Sequence, residues 1–421
     1  MIKSMTQCMQ APEVAIIGGG PAGLMAAEQL AAAGIQVDIY EAKPSCGRKF
    51  LIAGKGGLNL THAEPYDAFL GRYRERQPDL QPMLDVFGPQ SVQDWAAGLG
   101  IETFVGSSRR VFPLEMKASP LLRAWLARLQ DLDVRFHLRH RWLGWDEQGD
   151  LRFDYPDGER RVRPAVTLLA LGGASWPRTG STADWVPVLK RAGVPVAPLR
   201  PANGGFLVVW SDFFRERFAG VPLKTVLLTC RGPEGQPFSR RGEFVITETG
   251  IQGSLVYAAS ALLRDQIVQQ GQATLNLDLA PDRTLSELVR KLAQPRGSQS
   301  LAKHLRRQTG LHGVKASLLR EVLNSAEMQD PERVAQTIKA LPLTLTGTTP
   351  IAGAISTAGG VPFEALSADL MVKDHPNLYI AGEMLDWEAP TGGYLLTACL
   401  ATGFWAGKAI SRSLNAAKGT P

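Results

Sequence analysis

Six residues near the amino end, Gly18-Gly19-Gly20-Pro21-Ala22-Gly23, restrict this chain more than any other stretch. They stand between an apolar run, Glu13 to Ile17, and a series of small and apolar residues that reaches Ala33, where Gly34 ends it. Ile35 to Tyr40 is again β-rich, so the order is strand, glycine turn, helix, strand, the unit that builds a parallel sheet. Each glycine has a separate task in such a unit. Gly18 permits the turn, Gly20 lets backbone amides approach a pyrophosphate, and Gly23 lets helix and strand pack closely. The helix N-terminus supplies positive potential for the phosphates, and Glu41, ending the second strand at the expected spacing of about 20 residues, accepts hydrogen bonds from a ribose diol. A dinucleotide in an α/β Rossmann-like domain is the expectation.

A chain of 421 residues predicts two or three domains, and 44% apolar with 20% charged residues is the composition of a globular protein rather than a disordered one. Met1 to Pro12 lacks a signal-peptide core, and the apolar stretch Val14 to Ile39 is broken by glycines, Pro21, Glu28, Gln29 and Asp38. A cytoplasmic location without a membrane span follows as an expectation. Cys8, Cys46, Cys230 and Cys399 lie far apart with no C-x-x-C pair, so no metal site or dithiol motif is expected, and each cysteine reads as structural. The net charge of +6 is local: Leu288 to Arg320 has no Asp or Glu but holds eight Lys or Arg, among them Arg290, Lys291, Arg306 and Arg307.

Farther along, Ser119 before Pro120 reads as a helix N-cap, with Leu121, Leu122, Trp125, Leu126 and Leu129 as the apolar face. Val134, Phe136 and Leu138 alternate with polar residues, and turns at Gln148-Gly149 and Asp157-Gly158 suggest a three-stranded meander returning to a buried strand at Val166 to Leu171. Short β-rich runs occupy 199–282. Helical signals, a capping box at Thr284 and Glu287 and a cap at Asp330-Pro331, occupy 283–344. The predicted organisation is an FAD-binding domain of residues 1–198 and 345–421 interrupted by a β-rich subdomain, 199–282, and a basic helical subdomain, 283–344.

The fingerprint serves FAD and NAD alike, although an acid at the end of the second strand disfavours NADP. FAD is favoured by the meander and by a late block, Leu378 to Glu383, in which a strand ends in Gly-acid before a helix begins at Thr391-Gly392-Gly393-Tyr394. Such an acid can bind a ribityl hydroxyl, and the helix dipole can stabilise negative charge on a reduced flavin.

Taken together, Ile16 to Gly23, Gly47-Arg48-Lys49, Gly172 to Thr182, Thr249 to Gly253, Gly382 to Asp386 and Pro390 to Tyr394 resemble the YhiN/BaiN-like family of flavoproteins, described as NAD(P)/FAD-dependent or aminoacetone-oxidase-like enzymes. The resemblance covers nearly the whole chain and implies a two-dinucleotide-binding flavoprotein fold with a β and helical insert. It also implies that Arg48 and Lys49 lie near the FAD phosphates and that Asn59 and Thr61 lie close to the flavin. The expected cofactor contacts are Gly18, Gly20, Pro21, Ala22 and Gly23, then Glu41, Ala42 and Lys43, then Arg48, Lys49, Asn59 and Thr61, with Val134, Gly172, Gly382, Glu383, Gly393 and Tyr394 completing the set. Where the family commonly has Gly-Gly-Gly-Arg-Cys-Asn, this chain has Gly54-Lys55-Gly56-Gly57-Leu58-Asn59, so Leu58 cannot donate a proton as that cysteine could.

No catalytic acid is identified by motif. His62 and Tyr394 are candidates for proton supply, and packing roles are the competing readings. Asp386, Trp387 and Glu388 either line a pocket or form an anchored loop. Hydrolase elbows and kinase phosphate loops are absent, and so is a second G-x-G-x-x-G, so NADH or NADPH would act as a transient reductant. The leading expectation is an FAD oxidoreductase exchanging a hydride with an unsaturated or amine-bearing small molecule. Two alternatives remain: reduction of a base in structured RNA docked on the basic insert, and a flavin-binding module without turnover. Aromatic residues are nearly absent from Leu288 to Leu341, which argues against base stacking there.

Overall fold

The computed structural model describes residues 12–54 and 56–418, so the amino-terminal residues 1–11, Cys8 and Lys55 lie outside the described residues. The chain divides into two compact units, residues 1–200 with 356–421, and residues 201–355.

The first unit is built on a five-stranded parallel sheet of β1 (Val14–Ile17), β2 (Val37–Glu41), β3 (Arg135–Leu138), β4 (Val166–Leu169) and β5 (Leu378–Ile380). Its order is β5-β4-β1-β2-β3, with β1 between β2 and β4. All four residues of β1 and of β4 are buried, as expected of strands covered on both faces. Helix α1 (Pro21–Ala31) follows β1, α2 (Arg48–Ala53) follows β2, α3 (Ala118–Asp131) precedes β3, and α4 (Tyr394–Lys418) follows β5. Inside α1, the buried Glu28 carboxylate accepts hydrogen bonds from Trp125 Nε1 at 2.7 Å, Trp95 Nε1 at 3.1 Å and Arg128 Nη1 at 2.9 Å. A buried charge is tolerated only with such partners, and these tie α1 to α3.

Helix α4 lies against α1 through Gly403 and Gly407. A Cβ at Gly403 would stand 2.2 Å from the Ala22 carbonyl oxygen, and one at Gly407 2.8 Å from that of Ala26. The two backbones meet where side chains would hold them apart.

Two local expectations are corrected. Helix α3 starts at Ala118, with Lys117 in extended conformation at its N-cap and no side-chain cap, so Ser119 and Pro120 sit inside the first turn. Proline is tolerated there because amides of the first turn have no partner within the helix. Residues 135–138 pair in parallel with β2 and belong to the main sheet, and the antiparallel meander consists of Arg141–Trp145, Leu151–Tyr155 and Gly158–Val162. A second small sheet orders Thr61–His62, Arg110–Pro113 and Thr103–Val105, with the middle strand flanked on both sides.

The second unit holds a seven-stranded antiparallel sheet and its own core. Two of its strands, Leu341–Leu345 and Gly347–Thr348, follow the helical stretch and close the sheet at both edges. The helices share that core through Leu288, Leu305, Leu318 and Ile338, so strands and helices form one packed body. Thr284 and Asp330 cap their helices, accepting from the amides of Glu287 and of Glu332 and Arg333 respectively.

Candidate functional site

At the end of β1 the chain turns on Gly18, whose φ of +112° and whose position, with a Cβ 2.2 Å from the Ala170 carbonyl oxygen, exclude any side chain. A Cβ at Gly23 would fall 2.1 Å from the Gly18 carbonyl oxygen, which keeps helix and turn in contact. Gly20 differs: it is the N-cap of α1 with ordinary extended φ, and a Cβ there would meet nothing within 4 Å. Pro21 at the first helical position has no amide to lose, and the amides that follow have no partner inside the helix.

Glu41 faces this turn. Its Oε2 accepts from Gly19 N–H at 2.9 Å and its Oε1 from Lys43 N–H at 2.8 Å. Burial pushes its carboxyl up against the opposing pull of the Lys43 and Gly19 amides. Ala42 is exposed in the same loop. Cys46 packs beneath Gly19, and burial together with Glu41 pushes its thiol up to about 12, which keeps it protonated and inert. Gly47 N–H donates to the Gly19 carbonyl at 2.8 Å and opens α2, on whose first turn stand Arg48 and Lys49. The Arg48 Nη1 donates to Ser45 Oγ at 3.3 Å, while its buried Nε has no partner.

Lys49 and Glu383 are brought together: Nζ and Oε2 are 2.6 Å apart, and Nζ also donates to Ser175 Oγ at 2.7 Å. Glu383 further accepts from Gly173 N–H at 3.3 Å and Thr357 N–H at 2.9 Å. Gly172, with φ of +73°, adjoins Glu383 and receives Trp185 Nε1 on its carbonyl at 2.8 Å. Gly382, with φ of +79°, lies over Ala22 and accepts from Trp387 Nε1 at 2.9 Å. Trp387 is therefore an anchor of this turn. Asp386 and Glu388 are engaged by Arg76 at 2.6 Å and Arg74 at 3.0 Å.

The Gly393 turn meets the Asn59 segment. Gly393 has φ of +100°, and its Cβ would fall 2.5 Å from Thr61 Cα. Thr397 Oγ1 donates to Thr61 Oγ1 at 2.9 Å, and the His62 and Tyr394 rings stack at 5.1 Å. Asn59 Oδ1 is buried without a partner. Tyr394 donates its hydroxyl to Glu64 Oε1 at 2.5 Å, and Arg72 grips the same carboxylate at 3.0 and 2.7 Å. Burial, then the Glu64 carboxylate, pushes the Tyr394 hydroxyl well above its ordinary range, so it keeps its proton. Burial lowers His62, with Glu64 opposing, and Nδ1 accepts from Glu64 N–H at 3.2 Å. The neutral ring then carries its proton on Nε2.

For Glu64, burial raises the carboxyl but Arg72 and Tyr394 outweigh it, and the net shift is downward. A depressed folded-state value stabilises the fold above the unfolded value of about 4.3, and that contribution is lost as pH falls through the folded value. Glu64→Gln is therefore expected to melt lower than the wild type at neutral pH, with the gap narrowing as pH falls below the unfolded value of about 4.3. Melting temperatures of both proteins across that range check this, and a gap that widens on acidification contradicts it.

The predicted contacts fall into three clusters of the first unit: the glycine turn with Glu41, the Lys49–Glu383 pair, and Asn59 and Thr61 with Gly393 and Tyr394. Val134 is not among them. It precedes β3, whose Arg135 is level with Asp38 while Leu138 is level with Glu41, so Val134 lies toward the other end of the sheet, about 13 Å away along the strand. Glu64, Arg72, Thr357 and Thr397 were not legible as site residues, since nothing in their spacing marks them. The fit to FAD rests on the open space at Gly20, the Glu41 carboxylate held toward the turn, and the unpartnered Asn59 Oδ1. A cavity of about 410 Å³ in the second unit, lined by Lys224, Asp282, Arg283, His312 and Lys315 among others, holds none of the predicted site residues. No helix among the described residues is long and apolar enough to cross a membrane.

A family model described as HI0933-like protein Rossmann domain matches residues 12–409. The chain is 26% identical over 413 residues to a 3-dehydro-bile acid delta(4,6)-reductase of Clostridium scindens, covering 94% of this chain and 98% of that protein. It is 24% identical over 430 residues to a ribosomal RNA dihydrouridine synthase of Haemophilus influenzae, covering 96% and 99%. Among solved structures, a 3-ketosteroid delta1-dehydrogenase from Sterolibacterium denitrificans has a TM-score of 0.53 at 14% identity, covering 95% of this chain and 99% of that one. A flavocytochrome c3 fumarate reductase has a TM-score of 0.51 at 17% identity, covering 96% and 78%. These two structural likenesses concern the fold alone.

Proposed function

This chain belongs to the HI0933-like Rossmann family and is an FAD-dependent oxidoreductase, and from that premise we propose that it exchanges a hydride with an unsaturated or amine-bearing small molecule. Bound FAD supplies the two-electron chemistry. The amides at the start of α1 take the pyrophosphate, and Glu41 the adenosine ribose. Lys49 and Glu383, joined to one another, take the ribityl and phosphate oxygens. Asn59, Thr61 and the Gly393–Tyr394 turn border the ring system, where the positive end of the 25-residue α4 favours negative charge on the reduced ring. His62 presents its Nε2–H to water at the site, while the Tyr394 ring, fixed by its hydroxyl on Glu64, orients the His62 ring by stacking. The observation that carries this reading is the contact of Gly393 with Thr61, which joins the α4 turn to the segment holding the unpartnered Asn59 oxygen.

The test is direct. Purified protein is expected to be yellow, with an absorbance maximum near ~450 nm, and to bleach under NADH or NADPH without air. Colourless protein that takes up no FAD overturns the reading. Glu41→Ala is expected to weaken FAD retention about tenfold, the worth of a charge-assisted ribose contact. Flavin content after dialysis measures it, and unchanged content means that Glu41 does not hold the ribose.

A second reading is favoured by the charge of the insert and by the name of the H. influenzae relative. Arg290, Arg306 and Arg307 are exposed on two helices, and Lys291 is partly engaged with Glu287 at 2.9 Å. Such a face suits the phosphates of a structured RNA whose base is then reduced. RNA binding that is lost in moderate salt and in Arg306→Glu/Arg307→Glu supports it, and salt-independent or absent binding dismisses it.

A further inference from the structure

The small sheet of Thr61–His62, Arg110–Pro113 and Thr103–Val105 has two unlike faces. Thr61 pairs with Val111 and, like Pro113, both are buried in the unit. Alternation along the strands puts His62, Arg110, Phe112 and Phe104 on the opposite face, because His62 is level with Arg110 and Phe104 with Phe112. Phe104 and Phe112 stack at 5.7 Å, and Met116 closes beside Phe112 at Gly57. Phe104 and Met116 are 38% and 37% exposed, high for side chains of this size.

Arg110 is the unusual member. Its Nε lies 3.6 Å from where a Cβ on Gly392 would stand, beside the turn that opens α4. Nearby arginines are engaged, Arg72 with Glu64, Arg74 with Glu388 and Arg76 with Asp386. Among the described residues the half-buried Arg110 guanidinium makes no hydrogen bond or ion pair. A half-buried cation held without a partner is costly unless a ligand supplies one.

We propose that this face is the substrate platform of the flavin site, with Arg110 binding a carbonyl or carboxylate oxygen and Phe112 and Phe104 carrying a flat apolar body. The assignment rests on the flavoenzyme reading above and narrows its substrate to a small, flat molecule in which a C=C bond is conjugated to that oxygen. During reduction the β carbon receives a hydride from reduced FAD and the π pair shifts onto the oxygen against Arg110. A proton from water, that water being held by the His62 Nε2–H, then adds to the α carbon. One C=C bond becomes a single bond with two new C–H bonds, and FAD, oxidised by two electrons, is recharged by a reduced nicotinamide. The fixed fork of an arginine suits the growing negative charge at one oxygen.

The experiment titrates the FAD-loaded protein with 2-naphthoate, a flat apolar carboxylate that is not reduced, and follows both calorimetry and the shift of the flavin spectrum. The wild type is expected to bind it. Arg110→Gln should lose on the order of thirty-fold in affinity, the loss expected when one charge-assisted hydrogen bond is removed. Arg110→Lys should lose less, and Phe112→Ala should weaken binding by removing the platform. Flavin content of the same samples separates the two levels of argument: missing flavin counts against the flavoenzyme reading. With flavin intact, wild-type protein that does not bind 2-naphthoate, or Arg110→Gln and Phe112→Ala that bind it unchanged, overturns the platform. Displacement of 2-naphthoate by a uridine-containing RNA hairpin but not by 2-cyclohexenone overturns the small-molecule assignment in favour of a base in RNA.

Discussion

Gly20→Ala is expected to give protein that folds like the wild type and loses FAD affinity by roughly a hundredfold. The two halves of that expectation have separate causes. Gly20 has a φ of −87°, which an alanine adopts without strain, and its added methyl would touch no protein atom within 4 Å. The folded chain therefore has no reason to resist the change. The same empty volume lies at the mouth of α1, where phosphate oxygens must come within hydrogen-bonding distance of backbone amides, and a methyl there holds them off. Loss of one or two charge-assisted hydrogen bonds sets the magnitude. Circular dichroism and melting of the cofactor-free protein should match the wild type, while the dissociation constant for FAD rises. Gly18→Ala is the control, because its methyl would strike the Ala170 carbonyl in a left-handed backbone region, and it should fail to fold. Unchanged FAD affinity in Gly20→Ala would show that the dinucleotide does not rest on α1.

Gly403→Val should lower stability by about 3 kcal/mol or more and melting by roughly 6–12 °C. A Cβ at this position would stand 2.2 Å from the Ala22 carbonyl oxygen, inside any permitted contact. The carbonyl oxygen is helical backbone and the Cβ is fixed in place by helical backbone, so no rotamer relieves the overlap and the helices must separate. Separation would move α1, which is also fixed to β1 by Gly23 and to α3 by Glu28, so FAD affinity should fall together with stability. A thermal melt and an FAD titration of the same variant check both. A variant that melts like the wild type would mean that α4 does not approach α1 as closely as described.

Much of this arrangement was legible in the residues. The glycine turn announced itself because three positions, each with a different steric demand, stand at fixed offsets between a strand and a helix. Glu41 was found because the acid must end the next strand. Thr284 and Asp330 were readable as caps because a cap is a local bond between a side chain and amides two or three residues on. Where tertiary contact decides, local signals misled. Ser119-Pro120 has the form of a helix start, yet the helix begins at Ala118 because the preceding backbone is already extended at Lys117. The run 135–138 resembled the first arm of a meander, since alternation cannot say which partner a strand will choose; it paired with β2. Val134 precedes the same strand and so stands at the end away from Glu41. Glu64 and Arg72 escaped notice because their connection to Tyr394 spans 330 residues for the glutamate and has no sequence period. Arg110 was hidden for a related reason, since its singularity is the lack of a partner, which no spacing records.

The closeness of Gly403 to Ala22 also orders events in time. A growing polypeptide emerges with its glycine turn first, but the flank of α1 at Ala22 and Ala26 is covered by residues 394–418, after the whole of the 201–355 unit has been made. Until residues 394–418 leave the exit tunnel, the βαβ segment of β1, α1 and β2 has a bare flank and no Gly393 turn opposite Asn59. Closure of the Gly393 turn on the Asn59 segment therefore waits on residues 394–418, and the 201–355 unit has the interval of its own synthesis in which to fold first.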